Sequence, residues 1–419
     1  MTTIKKNIGF SFITACSKLL GGIGVLIILA RFLSLSDFGL FSYILTITSS
    51  IILFIDYGFN IKLLIDIPRN TNIIEEIVST SLIVKCLFFV IISIFLLMFY
   101  LFGLFEVDQI ILTLCLFISL FLFSLNNTFL SLFKSTNNYF IETKIVVIDN
   151  FLLFSLILIT GWFTDKLYLI GISFLVAKTI TFLFSYYYYK KQFFLLFISI
   201  RKQVNEIRIG LPFAVHYIVG NIFLNIDTLI LAYFVSQQDL GLYQSGIRLI
   251  IGAGILLTIV NSIYLPLLSK ETQLIEKTKE LNLYLFFIGC VITFPFLFFP
   301  KYIILVIYGS QFLGAVELFR IFGLIIFLRI IGASYGIVLS ISNNQIYRAI
   351  ALIVSIIIMV VLDTLLIPTS KNMLLTAAYI LLFSHIIITC VYIFIAHKRY
   401  KTFFIPTRKL ILQKIIFFK

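Results

Sequence analysis

Apolar runs of about twenty residues recur along almost the whole chain, and they limit its fold more than any other feature. A helix needs roughly 20 apolar residues to cross the hydrocarbon core of a bilayer. Of the 419 residues, 61% are hydrophobic and 12% are charged, whereas an average soluble domain is about half apolar and about a quarter charged. The sequence therefore predicts an all-α polytopic membrane protein.

Apolar runs bounded by glycine, proline, asparagine and charge clusters predict about twelve transmembrane helices. Six occupy the first half, at residues 8–32, 40–59, 80–104, 110–133, 145–163 and 167–189. Six more occupy the second half, at residues 211–235, 243–268, 281–308, 318–342, 349–367 and 374–396. This pattern predicts an N-terminal six-helix lobe at 1–195, a cytoplasmic connector at 196–208, a C-terminal six-helix lobe at 209–397 and a basic amphipathic tail at 398–419.

Lysine and arginine alternate between the predicted loops. Twenty-two basic residues fall on one side of the membrane and only three on the other, and the basic side of a membrane protein is cytoplasmic. We therefore expect both termini to be cytoplasmic. The net charge of +14 then reflects topology and contact with membrane lipid, and it does not indicate a nucleic-acid partner.

The two halves contain an internal repeat. Residues 29–40 read LARFLSLSDFGL and residues 231–242 read LAYFVSQQDLGL, with seven of twelve positions identical. Because each half has an even number of spans, the two halves share one orientation, as in transporters built from parallel repeats. The repeat predicts two parallel six-helix bundles with a central cavity between them.

Several cations lie well inside the predicted spans, where each costs roughly 2.5 to 3.5 kcal/mol unless it faces protein or water. An anionic, phosphate-bearing substrate would offset such a surplus of cations. The predicted substrate-binding cations are Lys18, Arg31, Lys178, Arg248 and Arg329. Two alternatives remain open, because Lys178 could pair with an acid and Arg248 could snorkel from the outer end of its helix.

Two further cations have local explanations. Arg320 follows Glu317 by one helical turn, which predicts a surface ion pair. Lys85 lies about one turn into its predicted span, so we expect its side chain to snorkel to the interface.

The seventh predicted span carries a separate polar set, His216, Asn221, Asn225 and Asp227. On a continuous helix His216 and Asp227 share a face. Carboxylate, amide and imidazole groups together predict coupling to H⁺ or Na⁺, or contact with sugar hydroxyls. Bonding between membrane helices is an equally good explanation. In the first half, the positions that match Asn225 and Asp227 are occupied by Ile23 and Val25. The repeat therefore does not extend to these polar residues.

Enzyme signatures are not found in the sequence. It contains no metal-ligand spacing, nucleophile elbow or phosphate-binding loop, and its predicted loops are short. We therefore predict a protein that is not an enzyme, with no cofactor and no metal site.

Four motifs resemble the Wzx-type polysaccharide flippases of the MOP (multidrug/oligosaccharidyl-lipid/polysaccharide) exporter superfamily. They are ARFLSLSDFGLF at 30–41, DYGFN at 56–60, NID at 225–227 leading to LGLY at 240–243, and YGSQF at 308–312. The resemblance covers both halves and agrees with a twelve-span layout.

The resemblance implies a flippase that moves undecaprenyl-pyrophosphate-linked oligosaccharide, an O-antigen or capsule repeat unit, from the cytoplasmic to the periplasmic leaflet of a bacterial inner membrane by alternating access. It implies substrate contact by the five cations and ion coupling by Asp227. An O-antigen polymerase and a chain-length regulator are the implied protein partners. The alternative is a cation-coupled multidrug exporter of MATE type, whose cationic substrates favour an acidic cavity.

Overall fold

The fold is described from a computed structural model that covers residues 2–68, 74–101, 107–196, 199–269, 274–341 and 345–400. Within these ranges the regular structure is helical, without strands. The first helices are α1 (Thr2–Phe32), α2 (Leu35–Asp56), α3 (Phe59–Asp66), α4 (Ile74–Leu101), α5 (Val107–Ser135), α6 (Tyr139–Phe163), α7 (Leu167–Lys190) and α8 (Ile200–Ile222).

The remaining helices are α9 (Ile226–Leu231), α10 (Gln237–Ser269), α11 (Leu274–Phe298), α12 (Pro300–Ile307), α13 (Val316–Ile341), α14 (Gln345–Leu366) and α15 (Met373–Tyr400). A 3₁₀ helix at Ser310–Ala315 precedes α13. Most of the predicted tail, residues 401–419, lies outside the described residues.

The helices form two compact units, Met1–Asn225 (unit 1) and Ile226–Lys419 (unit 2). In unit 1, α5 packs mainly against α7, and α1 against α6. In unit 2, α13 packs against α10, α11 and α15. The predicted C-terminal lobe begins at residue 209 and so includes most of α8, whereas α8 lies in unit 1. The two six-helix lobes stay a prediction.

Ten helices of the described chain are long and apolar enough to cross a membrane. They correspond to predicted spans one to six and nine to twelve, which confirms the polytopic all-α fold. The seventh and eighth predicted spans, which fall on α8 to α10, are not among the ten, so the count of twelve is not confirmed.

The internal repeat appears in the structure as a repeated helix cap. Ser34 precedes α2, and its Oγ accepts a hydrogen bond from the Asp37 amide at 3.1 Å and donates to Asp37 Oδ2 at 2.6 Å. Ser236 precedes α10 and makes the same pair of bonds with Asp239, at 3.2 and 2.8 Å. Because this cap satisfies backbone groups at a helix start, the shared residues begin the second long helix in each half.

The seventh predicted span is not one helix. It divides into α8 and α9, and a turn at residues 223–225 separates them. In this turn the Leu224 and Asn225 amides bond to the carbonyls of Asn221 and Ile222, three residues earlier. The expectation that His216 and Asp227 share one continuous helix face is therefore wrong, because the turn interrupts the helical phase.

Helix α8 packs against α2, α3 and α4 of unit 1 along one face. The residues of α8 that make these contacts recur at intervals of three to four residues or a multiple of them. Lys202 pairs with Glu76, Glu206 pairs with Lys62, and the Tyr217 hydroxyl donates to Asp56 at 3.2 Å. At the same surface, Gly58 has a φ of 69°, and a Cβ there would lie 2.7 Å from the Phe213 carbonyl oxygen. Only glycine fits both the backbone conformation and the close approach.

Lys85 lies in a buried ionic network, so the expectation that it snorkels is wrong. Its side chain is 0% exposed. Its ammonium lies 2.8 Å from Asp56 Oδ1, 3.1 Å from Asn60 Oδ1 and 2.9 Å from the Ser124 carbonyl oxygen, with Thr128 as a further acceptor. These groups join α2, α3, α4 and α5. The network satisfies all three ammonium protons in a place where an unpaired charge is costly.

We expect Gly58→Ala to destabilise the protein. A left-handed backbone costs a non-glycine residue about 1 to 2 kcal/mol, and the contact with Phe213 adds to that cost. The matched control is Gly22→Ala, because Gly22 is helical with nothing within 4 Å of an added Cβ, and alanine there gains roughly 0.5 to 1 kcal/mol. Thermal unfolding in detergent should show a lower midpoint only for Gly58→Ala. Equal midpoints for the two variants would contradict the packing described here.

We expect Lys85→Met to reduce the free energy of unfolding by about 3 to 5 kcal/mol, because it leaves Asp56 buried without its counter-charge. The double variant Lys85→Met/Asp56→Asn should recover part of this loss, since it buries no lone charge. Lys190→Met, at an exposed lysine, serves as the control. Thermal midpoints of these four proteins and of the Asp56→Asn single variant test the coupling, and strictly additive effects would argue against the ion pair.

Candidate functional site

Lys178 is paired with an acid, which is the alternative left open by the sequence. Its ammonium lies 2.9 and 2.8 Å from the two carboxylate oxygens of Asp149 and 4.7 Å from the ring centroid of Phe123. The Thr181 hydroxyl donates to Asp149 Oδ1 at 3.1 Å. Both charged side chains are buried. This pair ties α6 to α7, and a substrate-binding role for Lys178 stays a prediction.

Lys18 differs from the paired lysines of unit 1. It lies on α1 with an exposed side chain, and among the described residues it makes neither an ion pair nor a hydrogen bond. It lies within electrostatic range of Glu142 and Asp149 and of two other cations, Lys134 and Lys178. Its charge is therefore available to an additional anion.

Glu142 was not singled out from the sequence. It lies in the first turn of α6 and is 6% exposed, and its Oε2 has no hydrogen-bond partner. The α1/α6 contact beside it is polar, because the Thr14 and Thr143 hydroxyls bond at 2.8 Å. Lys18 and Glu142 thus form a polar patch where two closely packed helices meet.

Two other predicted cations, Arg31 and Arg248, have favourable local electrostatic surroundings or lie near another polar group. Arg31 is exposed in the last turn of α1, where a cation complements the helix dipole. Arg248 lies on α10 in unit 2, partly buried and within electrostatic range of Tyr308. The role of each in substrate binding stays a prediction. Arg320, in contrast, forms the expected surface pair with Glu317 at 2.8 Å.

Arg329 lies between three helices of unit 2. Its Nη2 is 3.0 Å from the position of an added Cβ on Gly254 of α10, and its charge acts on His385 of α15. Its Nη1 is buried with no hydrogen-bond partner. His385 is 5% exposed, and its Nδ1 lies 2.9 Å from the Leu381 carbonyl oxygen. His385 is not among the residues predicted from the sequence, although an imidazole inside an apolar run was a usable signal.

Two buried carboxyl groups come together in unit 2. Asp227 on α9 and Asp363 on α14 are both 0% exposed, they lie within electrostatic range of each other, and α9 packs against α14. The Tyr243 hydroxyl donates to Asp227 Oδ2 at 2.6 Å. Asp227 Oδ1 and both carboxylate oxygens of Asp363 have no hydrogen-bond partner. Neighbouring buried carboxylates favour a bound proton or cation.

Asn221 and Asn225 of the seventh predicted span have hydrogen-bond partners of their own. Asn221 Nδ2 donates to the Tyr217 carbonyl at 2.7 Å, and Asn225 Nδ2 donates to Ser50 Oγ at 3.4 Å. Both contacts lie within unit 1. The side chain of His216 lies outside the described residues. Roles for these three residues in coupling or sugar contact stay predictions.

The described residues therefore offer two kinds of chemistry. Lys18 in unit 1 and Arg329 in unit 2 supply positive charge without an ion pair among the described residues, and Asp227 and Asp363 supply carboxyl oxygens without one. No group of three or more histidine, cysteine or acidic side chains able to hold a metal occurs in the described parts of the chain.

Comparisons with known proteins agree with this description. Residues 4–272 match the family model described as polysaccharide biosynthesis protein. No curated protein matches the sequence. The lipid II flippase MurJ, in an inward closed conformation, matches with a TM-score of 0.77 at 16% identity, over 94% of this chain and 88% of that chain.

Two further solved structures have the same fold. An inward-facing multidrug resistance MATE family transporter of the MOP superfamily matches with a TM-score of 0.74 at 14% identity, over 91% of this chain and 94% of that chain. A MOP superfamily transporter from Pyrococcus furiosus, described by a reverse polarity of its binding pocket, matches with a TM-score of 0.64 at 16% identity, over 95% of each chain.

The family match spans more than half of the chain, and the structural matches span nearly all of it. They confirm the resemblance stated from the sequence motifs. The chain belongs to the polysaccharide biosynthesis protein family and has the fold of the MOP superfamily transporters.

Proposed function

We propose that this protein is a flippase that moves an undecaprenyl-pyrophosphate-linked oligosaccharide, an O-antigen or capsule repeat unit, from the cytoplasmic to the periplasmic leaflet of a bacterial inner membrane. The observation that carries the proposal is Lys18, an exposed cation within an apolar span that has no ion pair among the described residues. In a chain of the polysaccharide biosynthesis family, a pyrophosphate-bearing substrate is the natural counter-charge.

Alternating access of two lobes is the proposed mechanism, since the fold is that of transporters. In this proposal Lys18 contacts the pyrophosphate or the sugar, and Arg31, Lys178, Arg248 and Arg329 are the further predicted cations. The lipid tail of the substrate stays in the bilayer. An O-antigen polymerase and a chain-length regulator are the proposed protein partners.

Coupling to an ion gradient is the second part of the proposal. Asp227 is the predicted coupling residue, and the second buried carboxyl group, Asp363, supports this part of the proposal because α14 packs against α9. Three unpartnered carboxylate oxygens fit a proton or Na⁺. Binding there would neutralise the repulsion between the two acids, so occupancy would alter the packing of α9 against α14.

A multidrug exporter of MATE type is the competing function, and the buried carboxyl pair is the observation that favours it. An acidic site suits a cationic drug, whereas an exposed, unpaired Lys18 does not. Loss of the gene should strand lipid-linked units on the cytoplasmic face if the flippase proposal is right. It should instead raise drug sensitivity, with normal surface polysaccharide, if the exporter proposal is right.

We expect Lys18→Ala to reduce surface polysaccharide in a deletion strain that carries the variant gene. Loss of a charge-assisted contact of about 1.5 to 3 kcal/mol corresponds to a decrease in transport of roughly 10- to 100-fold. Lys166→Ala is the matched control, because Lys166 is an exposed lysine of the same unit, between α6 and α7. Quantified surface polysaccharide at equal protein level measures the effect. Normal display in the Lys18 variant would remove this residue from the substrate path.

We expect Asp227→Asn and Asp363→Asn each to weaken the dependence of transport on an imposed proton or sodium gradient, because each removes one titratable, cation-binding carboxylate. Initial transport rates in proteoliposomes, with each gradient applied separately, measure this dependence. Glu317→Gln is the control, since Glu317 belongs to an exposed surface pair. If both aspartate variants respond to the gradients as the unmodified protein does, the carboxyl pair has no coupling role.

A further inference from the structure

The segment between α11 and α13 is almost entirely apolar. Residues 299–309 read FPKYIILVIYG, with Lys301 as the single charged residue. The sequence predicts one ninth span at 281–308, but the structure divides it into α11, which ends at Phe298, and α12, which begins at Pro300. Proline suits the first position of a helix, because its missing amide proton would have no partner there. The prediction of one continuous helix is therefore wrong at this point.

Helix α12 is not needed to cross the membrane. The apolar part of α11, Ile275–Phe298, has 24 residues, which extend about 36 Å at about 1.5 Å per residue. That length already crosses a hydrocarbon core of about 30 Å. The next membrane-spanning segment begins at Ser310. Helix α12 therefore lies between two spans, at the membrane boundary on the side that the few basic loop residues predict to be periplasmic.

Helix α12 has two apolar faces, and one of them is exposed in the described structure. On the covered face, Ile304 and the following Tyr308 are 0% and 1% exposed. The Tyr308 hydroxyl donates to the Ser245 carbonyl of α10 at 2.7 Å, which fixes this face to unit 2. On the other face, Tyr302 and Val306 are 66% and 75% exposed. Because a helix that is apolar all round is normally buried on every side, the exposed face needs an apolar cover.

The exposed face of α12 continues a stripe on α11. Exposed apolar side chains recur along α11 every three to four residues, at Phe287, Val291, Phe294 and Phe298. On a membrane-spanning helix such a stripe faces the hydrocarbon. The ring centroid of Phe294 lies 4.7 Å from that of Phe298 and 6.0 Å from that of Phe299. The Phe299 centroid lies 6.3 Å from that of Tyr302, so the aromatic contacts run from the lipid-facing stripe onto α12.

We propose that α12 is an interfacial helix that docks unit 2 onto phospholipids of the predicted periplasmic leaflet. In this position Tyr302 and Val306 enter the boundary between headgroups and acyl chains, where tyrosine is common in membrane proteins. Lys301 is exposed next to Tyr302 and extends to a headgroup phosphate. Because Tyr308 holds the other face on α10, the docked helix fixes the depth of this end of unit 2. The docking does not depend on which substrate is transported.

The test places a tryptophan on α12 and measures which quencher reaches it. Trp162 is the only tryptophan of the chain, so Tyr302→Trp in a Trp162→Phe background reports on α12 alone. The full-length protein is reconstituted in phosphatidylcholine vesicles that contain a nitroxide lipid, labelled either near the top or at the end of its acyl chain. The shallow label should quench most of the emission, at a depth of about 5 to 10 Å into the interface, and aqueous iodide should quench least.

Lys371→Trp in the same background is the matched control. Lys371 is exposed in the polar loop between α14 and α15 of the same unit, and iodide should quench a tryptophan there more than either nitroxide does. Quenching of the Tyr302→Trp protein by iodide alone would place this face in water and overturn the proposal. Protection from iodide and from both nitroxides would place protein, such as a second copy, on this face and would equally overturn it.

A charge on the exposed face provides a second measurement. Val306→Asp should lower the thermal midpoint of the protein in these vesicles, because a carboxylate in the interface loses hydration. Val306→Ala is the control and should leave the midpoint nearly unchanged, since Val306 is exposed. If this face were in water, the aspartate would also have little effect, as is usual for surface substitutions. Equal midpoints for the two variants would therefore contradict the lipid contact.

Discussion

The cost of placing charge in an apolar medium is the constraint on which the structure depends. A chain with so few charged residues retains several of them inside its spans, and each must be compensated. For the two buried lysines of the unit 1 spans, Lys85 and Lys178, the compensation is internal. Lys85 has Asp56 and three further acceptors, and Lys178 has both oxygens of Asp149. The first network joins α2, α3, α4 and α5, and the second pair joins α6 to α7.

Unit 2 does not follow the same rule. Arg329 has a buried nitrogen without a partner, and Asp227 and Asp363 have three such oxygens between them. A single ion pair between these groups would have removed most of the cost, yet none forms among the described residues. Proteins that retain such groups unpaired usually use them for binding or for a change of state. The predicted substrate contact of Arg329 and the proposed coupling site therefore have the same physical origin.

Hydropathy was sufficient to predict the helical membrane fold, since the apolar runs are long and the constraint of the bilayer is strong. Contacts between distant residues were not predictable in this way. Lys85 lies near the end of a predicted span that starts at residue 80, so snorkelling was the reasonable expectation. The membrane-spanning part of α4 instead begins at Ile74 and places Lys85 near its middle, and only the folded chain brings Asp56 to it from another helix. His385 and Glu142 were visible as ionisable residues beside apolar ones, but their neighbours were not. Lys18 could be identified from the sequence, because a charge inside an apolar run is visible without knowledge of its neighbours in the folded chain.

The break between α8 and α9 shows how far the repeat determines the structure. Residues 223 and 224 match Gly21 and Gly22 of α1 under the offset that aligns the repeated motifs. Glycine weakens a helix, yet α1 is continuous there, because Gly21 packs directly against Asn150 of α6. The second copy has no glycine at the break and is interrupted all the same. Local helix propensity therefore does not explain the break, which falls where unit 1 ends and unit 2 begins. The repeat preserves the caps and the helix order, while the chemistry that distinguishes the two halves arises where their packing differs.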